Sequence, residues 1–115
     1  MSIFFVRGFE GIKMTNDNLR PRKDNLRPCV YMLRCCDDSL YTGWTNDFAN
    51  RLKAHQSGKG GKYTRSRLPV SAVYLEYLPD KSAALKREAA IKKMSASAKR
   101  ALITSSSNEL DGTDL

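Results

Sequence analysis

The chain has 115 residues, of which 20 are lysine or arginine and 12 are aspartate or glutamate, so its formal net charge is +8. This length is enough for one small domain, and a hydrophobic share of 41% argues against wholesale disorder. The longest early apolar run, residues 3–6, is far shorter than the roughly 20 residues that cross a bilayer, and too short for a secretory leader. Cys29, Cys35 and Cys36 form no C-x-x-C motif, so we expect free thiols and a cytoplasmic protein without membrane association.

The first predicted segment is a basic arm over residues 1–28. A five-residue unit, Asp-Asn-Leu-Arg-Pro, occurs at residues 17–21 and again at residues 24–28. The prolines that end both copies disfavour a continuous helix. We therefore predict an extended, poorly ordered arm and place the folded domain at residues 29–103.

Two strands are predicted next, joined by a tight turn. Residues 30–36 form a compact apolar run with β-branched and aromatic members, and residues 40–44 read as the returning strand. The polar residues 37–39 between them are typical turn formers, so the two runs predict a β-hairpin.

A helix and a basic loop follow the hairpin. Thr45 or Asn46 can cap a helix over residues 47–56, and Gly58 ends it. Residues 48–75 contain no acidic residue but six basic ones, which is the pattern of a surface that binds a nucleic-acid backbone. An ordinary solvated charged face is the alternative.

Within the loop, which spans residues 57–69, four residues are candidates for nucleic-acid binding: Lys59, Lys62, Tyr63 and Arg65. Tyr63 would stack on a base while the three cations follow the phosphates. A flexible linker explains the same composition equally well, so both interpretations stay open.

The remaining elements complete an α/β pattern. Residues 70–78 predict a third strand, Ser82 caps a helix that runs to about Met94, and Ser95 caps a last helix that ends near Ile103. The order β-β-α-β-α-α predicts a small antiparallel sheet covered by helices. Residues 104–115 carry three acids and no basic residue, so we predict a disordered acidic tail.

Five residues of this framework are candidates for catalysis: Tyr31, Tyr41, Arg51, His55 and Glu88. The two tyrosines lie on the paired strands, while Arg51 and His55 are four residues apart and share a helix face. Singly, each has an ordinary structural explanation, such as a core tyrosine or a surface arginine. Together and in this order, they favour a site.

Glu88 is the most informative of the five. It falls between Leu85 and Ile91 in the apolar stripe of its helix, where a carboxylate needs a charged partner or a metal. The alternative is an ion pair with Lys92, four residues later, worth about 0.2–0.5 kcal/mol.

These residues resemble the GIY-YIG nuclease domain, a family of metal-dependent phosphodiesterases. Residues 29–31 (CVY) and 41–43 (YTG) match its two short motifs, although Cys29 and Thr42 replace a glycine and an isoleucine and Trp44 follows the second motif. The segments HQSGKGGKYTR at residues 55–65 and REAAIKK at residues 87–93 further resemble its small stand-alone UPF0213 branch. The resemblance covers residues 29–103 and implies a GIY-YIG-type three-stranded antiparallel sheet flanked by helices.

The resemblance also implies roles for the five residues. Arg51 would grip two phosphate oxygens, and Glu88 would hold one divalent cation, Mg²⁺ or Mn²⁺, bound mostly by water and substrate. Tyr31 would deprotonate or orient the attacking water, although a free phenol titrates near 10. His55 would relay the proton or bond the phenol, and Tyr41 would orient substrate or water.

A shared site places a condition on the hairpin. Side chains alternate between the two faces of a strand, so Tyr31 and Tyr41 lie on one face only in some registers. A two-residue loop would separate them. A three-residue loop, residues 37–39 closed by Cys36 and Leu40, would bring them together, and we predict that loop or a bulge with the same effect.

The function that follows is a metal-dependent DNA endonuclease or structure-selective nuclease, acting in repair or recombination. RNA stays an alternative substrate, and a protein partner is a candidate source of specificity. The alternative function is a non-catalytic nucleic-acid-binding module with the same fold.

Overall fold

The computed structural model describes residues 26–110. Residues 1–25 of the predicted arm and residues 111–115 of the predicted tail lie outside this range. The described chain forms seven elements in the order β1 (Cys29–Arg34), β2 (Leu40–Thr45), α1 (Phe48–Gln56), α2 (Lys62–Arg65), β3 (Ser71–Tyr77), α3 (Lys81–Lys92) and α4 (Ala96–Ile103). The predicted α/β class is confirmed. The short helix α2 is an addition to the predicted element order.

The three strands form an antiparallel sheet in the order β2-β1-β3. Strand β1 is central, which explains why residues 29–33 are apolar on both faces and all buried. Val30 and Met32 point to one face, where α3 and α4 cover them through residues such as Ile91 and Leu102. The opposite face carries Tyr31, and α1 packs against it.

The hairpin between β1 and β2 has a loop of three residues, as predicted, but the loop lies one residue earlier in the chain. The Cys35 amide donates to the Ser39 carbonyl at 2.9 Å, so residues 36–38 form the loop. Asp38 takes a φ of +70° there, the left-handed conformation that closes many three-residue hairpin loops. Tyr31 pairs with Gly43 and Leu33 with Tyr41, which places both tyrosines on the same face.

Two helices begin at a different residue from the one predicted. Asp47 caps α1 by accepting from the Asn50 amide, and Asp80 caps α3 by accepting from the Ala83 amide at 2.8 Å. Ser82, the predicted cap, lies inside α3, because the earlier aspartate reaches the free amides of the first turn. Ser95 caps α4 as predicted.

Residues 104–110 do not fit the predicted disordered tail, because they are held along β3. The Asn108 side chain accepts from the Leu75 amide at 3.1 Å and donates to the Val73 carbonyl at 2.9 Å. The Glu109 amide donates to the Leu75 carbonyl at 2.7 Å, and Leu110 packs against the Tyr31 side of the core. These polar groups satisfy the outer edge of β3, which would otherwise present unpaired backbone groups. No helix within residues 26–110 is long and apolar enough to span a membrane.

Candidate active site

Tyr31 lies at the centre of the candidate site. It projects from β1 into the layer between the sheet and α1 and is only 2% exposed. Its hydroxyl lies 2.9 Å from Nε2 of His55, which comes from α1. Strand β1 and helix α1 thus bring together two of the predicted residues, and they do so by a buried hydrogen bond.

Gly43 explains how the Tyr31 ring fits against the edge strand. A Cβ atom at this position would lie 2.6 Å from the Tyr31 hydroxyl oxygen and 2.8 Å from its Cζ atom. No side chain fits in this space, so the phenol lies directly over the β2 backbone. The glycine of the YTG motif therefore has a steric role at the candidate site.

His55 is 1% exposed and uses both ring nitrogens. Nε2 meets Tyr31, and Nδ1 lies 2.8 Å from the Oγ1 atom of Thr64, which comes from α2 and is completely buried. The backbone of Gly60 packs directly against the imidazole, because a Cβ atom there would overlap the ring and the His55 Cα. The segment predicted as a basic loop, for which a flexible linker was the alternative interpretation, is therefore ordered around the histidine.

The rings of the site form one aromatic cluster. The centroid of Tyr41 lies 6.3 Å from that of Tyr31 and 5.1 Å from that of His55. Tyr63 stacks on Tyr41 at 5.9 Å with an interplanar angle of 29°. The hairpin register makes this cluster possible, since it places Tyr41 beside Tyr31.

Burial and charge set the protonation states of the central pair. Burial is the main reason why the pKa of Tyr31 is raised above its ordinary value, and the adjacent Tyr41 raises it further. Arg51 lowers the pKa of Tyr31, whereas Glu88 raises it. Burial and then Arg51 lower the pKa of His55. At neutral pH the free protein therefore holds a neutral phenol against a neutral imidazole.

Arg51 and Glu88 thus act electrostatically on the Tyr31 hydroxyl, although they come from different helices. Arg51 is exposed on α1, one turn before His55. The Glu88 side chain on α3 is 18% exposed and pairs with Lys92 at 3.3 Å. The ion pair that the sequence offered as an alternative explanation of Glu88 is present.

The donor groups limit what metal the site can hold. Among the described residues there is no group of three histidine, cysteine, aspartate or glutamate side chains that could bind an ion. Glu88 offers one hard carboxylate, and only one of its oxygens contacts Lys92. A single carboxylate fits Mg²⁺ or Mn²⁺, because such ions keep several waters and take further ligands from a phosphate substrate.

The predicted nucleic-acid-binding residues lie next to this cluster. Lys59, Lys62 and Arg65 are exposed, and Tyr63 is 39% exposed. The Tyr63 ring is already in contact with protein groups: it stacks on Tyr41, and the Arg67 guanidinium carbon lies 3.8 Å from its centroid. A base that stacks on Tyr63 would have to share the ring with these neighbours.

Arg67, Thr64 and Gly60 are contributors to the site that the sequence analysis did not single out. Arg67 links the segment to the hairpin loop, since its Nε atom donates to Asp37 at 3.1 Å. Thr64 and Gly60 contact His55 directly. The only sequence signal was their place inside a segment that also contains His55 and the basic residues.

The family model of the GIY-YIG catalytic domain matches residues 27–101. The chain belongs to the GIY-YIG family. Its relatives include a UPF0213 protein of Clostridium perfringens, 53% identical over 78 residues, which cover 68% of this chain and 84% of the relative. A UPF0213 protein of Syntrophus aciditrophicus is 56% identical over 75 residues, covering 64% of this chain and 86% of that protein.

Among solved structures, the solution NMR structure of a UPF0213 protein from Bacillus halodurans is 40% identical and has a TM-score of 0.48. The match covers 71% of this chain and 87% of that one. The resemblance seen in the sequence is confirmed for both the GIY-YIG family and its UPF0213 branch. GIY-YIG domains point to nucleases in general, whereas the name UPF0213 states no substrate or reaction.

Proposed function

We propose that this protein is a metal-dependent nuclease that hydrolyses phosphodiester bonds in DNA. The observation that carries the proposal is the buried hydrogen bond between Tyr31 and His55, together with the charges of Arg51 and Glu88 acting on the same hydroxyl. A buried polar pair beside two opposite charges is more than a core tyrosine requires. It is the arrangement expected of a group that handles a proton.

Each residue has a task in this reaction. Arg51, exposed at the edge of the cluster, binds two non-bridging oxygens of the scissile phosphate. Tyr31 orients the attacking water and takes its proton, while His55 holds the phenol through Nε2. Tyr41 lies beside both rings and positions the water or the phosphate.

Tyr31 must lose its proton if it is to act as a base, and the raised pKa opposes this in the free protein. A Mg²⁺ or Mn²⁺ ion on Glu88 would supply positive charge that polarises the phosphate and favours the phenolate. Arg51 already acts in that direction.

The exposed cations Lys59, Lys62 and Arg65 are the proposed backbone contacts, with Tyr63 at the junction between this basic surface and the catalytic cluster. We propose a role in DNA repair or recombination, with specificity supplied by DNA shape or by a protein partner. The three free cysteines are compatible with a reducing cytoplasm, which is the location we propose.

The direct test is a cleavage assay with the full chain. Labelled single-stranded, duplex and branched DNA and an RNA of matching sequence are incubated with Mg²⁺ or Mn²⁺. We expect cleavage that falls at least about a hundredfold in Arg51→Ala and Glu88→Gln, because each substitution removes charge stabilisation from the transition state. Arg100→Ala, which removes an exposed arginine from α4, is the matched control and should cleave normally.

A non-catalytic binding module is the second candidate, and one observation favours it. Glu88 already has Lys92 as a charge partner at 3.3 Å, so its carboxylate does not need a metal to be satisfied. Under this alternative, DNA binds to the wild-type chain without cleavage with either metal and with every substrate. Both functions predict that binding weakens steeply with salt, since bound phosphates release counterions.

A further inference from the structure

We propose that Thr64 is a positioning residue that fixes the tautomer of His55, so that Nδ1 carries the proton and Nε2 offers its lone pair to Tyr31. The two hydrogen bonds of the His55 ring support this tautomer whether or not the protein is a nuclease. Its catalytic consequence, that His55 receives the Tyr31 proton, rests on the proposed nuclease function.

Tyr31, His55 and Thr64 are linked by two hydrogen bonds, one at each ring nitrogen of the histidine. A neutral imidazole has one N–H donor and one acceptor nitrogen, so only two arrangements link the three side chains. In one, Tyr31 donates to Nε2 and Nδ1–H donates to Thr64. In the other, Thr64 donates to Nδ1 and Nε2–H donates to the Tyr31 oxygen.

The two arrangements differ in whether the hydroxyl hydrogens of Thr64 and Tyr31 find acceptors. In the first arrangement the Thr64 hydroxyl hydrogen faces the Gly61 carbonyl in the preceding turn at 3.5 Å, a long and weak contact, and the Tyr31 and Nδ1 donors both have close acceptors. In the second arrangement, Nε2–H of His55 donates to the Tyr31 oxygen. The Tyr31 hydroxyl hydrogen then has no acceptor among residues 26–110, because its hydrogen-bond partner there is this same nitrogen. A buried donor without a partner costs about 1–3 kcal/mol, which favours the first arrangement.

The backbone between Gly60 and α2 brings Thr64 to the His55 ring. Gly60 lets the backbone pass directly against the His55 ring, and the next residues turn into α2. That turn delivers Thr64 to Nδ1 at 2.8 Å, with the threonine fully buried. The ring is therefore held from both sides, by Tyr31 and by Thr64.

The proton path follows from the tautomer. The phenol proton of Tyr31 passes to Nε2 as the attacking water gives a proton to the Tyr31 oxygen, and the resulting hydroxide bonds to phosphorus. His55 then carries two N–H groups, each with an oxygen acceptor in place, Tyr31 and Thr64. The leaving oxygen takes a proton from solvent, and His55 returns its extra proton to solvent after the reaction. With the opposite tautomer, Nε2 already carries a proton and the histidine cannot accept the Tyr31 proton there.

The test is a tautomer measurement by NMR on the full chain labelled with ¹⁵N-histidine. His55 is the only histidine, so both nitrogen signals belong to it, and their couplings to the ring carbon-bound hydrogens distinguish Nδ1 from Nε2. We expect the wild type to show Nδ1–H and an unprotonated Nε2 at pH 7.5. Thr64→Val removes the hydroxyl at nearly constant volume and should shift the population toward Nε2–H, whereas Thr64→Ser should preserve the wild-type pattern.

A wild-type spectrum with Nε2–H overturns the proposal, as does a Thr64→Val spectrum identical to that of the wild type. If Thr64→Val fails to fold, the wild-type and Thr64→Ser spectra still decide the tautomer. Activity is a separate readout. In an active protein, Thr64→Val should lower kcat about tenfold or more with little change in KM, and Thr64→Ser should restore it. An inactive wild type with the expected tautomer would contradict the nuclease function and leave the role of Thr64 intact.

Discussion

Gly43→Ala is the substitution that tests the geometry of the candidate site most directly. The new methyl group would begin 2.6 Å from the Tyr31 hydroxyl oxygen and 2.8 Å from Cζ, whereas ordinary contacts start near 3.4 Å. The phenol or the β2 backbone must therefore move by roughly 0.6–0.8 Å. A shift of this size is enough to stretch the 2.9 Å bond between Tyr31 and His55 beyond the usual limit of about 3.2 Å.

The expected cost combines two opposing effects. Adding a methyl group to a filled site costs about 1–3 kcal/mol, while replacing glycine by alanine in a strand recovers about 0.5–1 kcal/mol. The net decrease in the free energy of unfolding should be about 0–2.5 kcal/mol. Nuclease activity should fall further than this, because the displaced hydroxyl is the proposed reacting group.

Urea denaturation measures the stability, and a double-mutant cycle with Tyr31→Phe identifies the cause. Removing the hydroxyl takes away the atom nearest to the added methyl, so Gly43→Ala should cost less in the Tyr31→Phe background. If Gly43→Ala costs the same in both backgrounds, then the close approach of the Tyr31 ring to β2 is refuted.

Three further predictions concern other parts of the fold. Because burial lowers the pKa of His55, the unfolded chain binds a proton first, so stability should fall as the pH drops below about 6.5. His55→Gln should remove this slope from urea midpoints measured between pH 7.5 and 5.5. Asn108→Ala breaks four side-chain hydrogen bonds and should cost about 2–6 kcal/mol by urea denaturation, and an unchanged stability would contradict the ordered segment. In a thiol-reagent assay, exposed Cys36 should react at once. Buried Cys29, whose pKa is raised to about 12 by burial, and Cys35 should react only after unfolding.

The sequence was sufficient for the sheet and its main helices because their patterns are local. The apolar run of β1 and the polar turn after it predict the hairpin, and a loop with an odd number of residues then places Tyr31 and Tyr41 on one face. The exact position of the loop was not predictable, because Cys35 and Cys36 are chemically alike and only packing makes Cys35 the buried one.

Helix α2 and the segment after α4 depend on contacts between distant residues. A four-residue helix has no periodicity to detect, and the hydrogen bond that accompanies the burial of Thr64 comes from His55 in another helix. Residues 104–110 are mostly polar and continue into an acidic end, so composition predicts disorder. Their order comes from the Asn108 side chain and the Glu109 amide, which find unpaired backbone groups on β3. Neither partner is recognisable until the sheet has formed.

The burial of Tyr31, His55 and Thr64 restricts their conformational freedom in the free protein. These three side chains hold one another in a single conformation before any ligand arrives, so no conformational entropy is lost among them during a reaction. The exposed Arg51 and Lys62 are different, since ordering each long side chain on a phosphate costs about 0.5–1.5 kcal/mol. Under the proposed function, the entropic cost of recognition therefore falls on the affinity for the substrate, while the side chains proposed for proton transfer are already in place in the free protein.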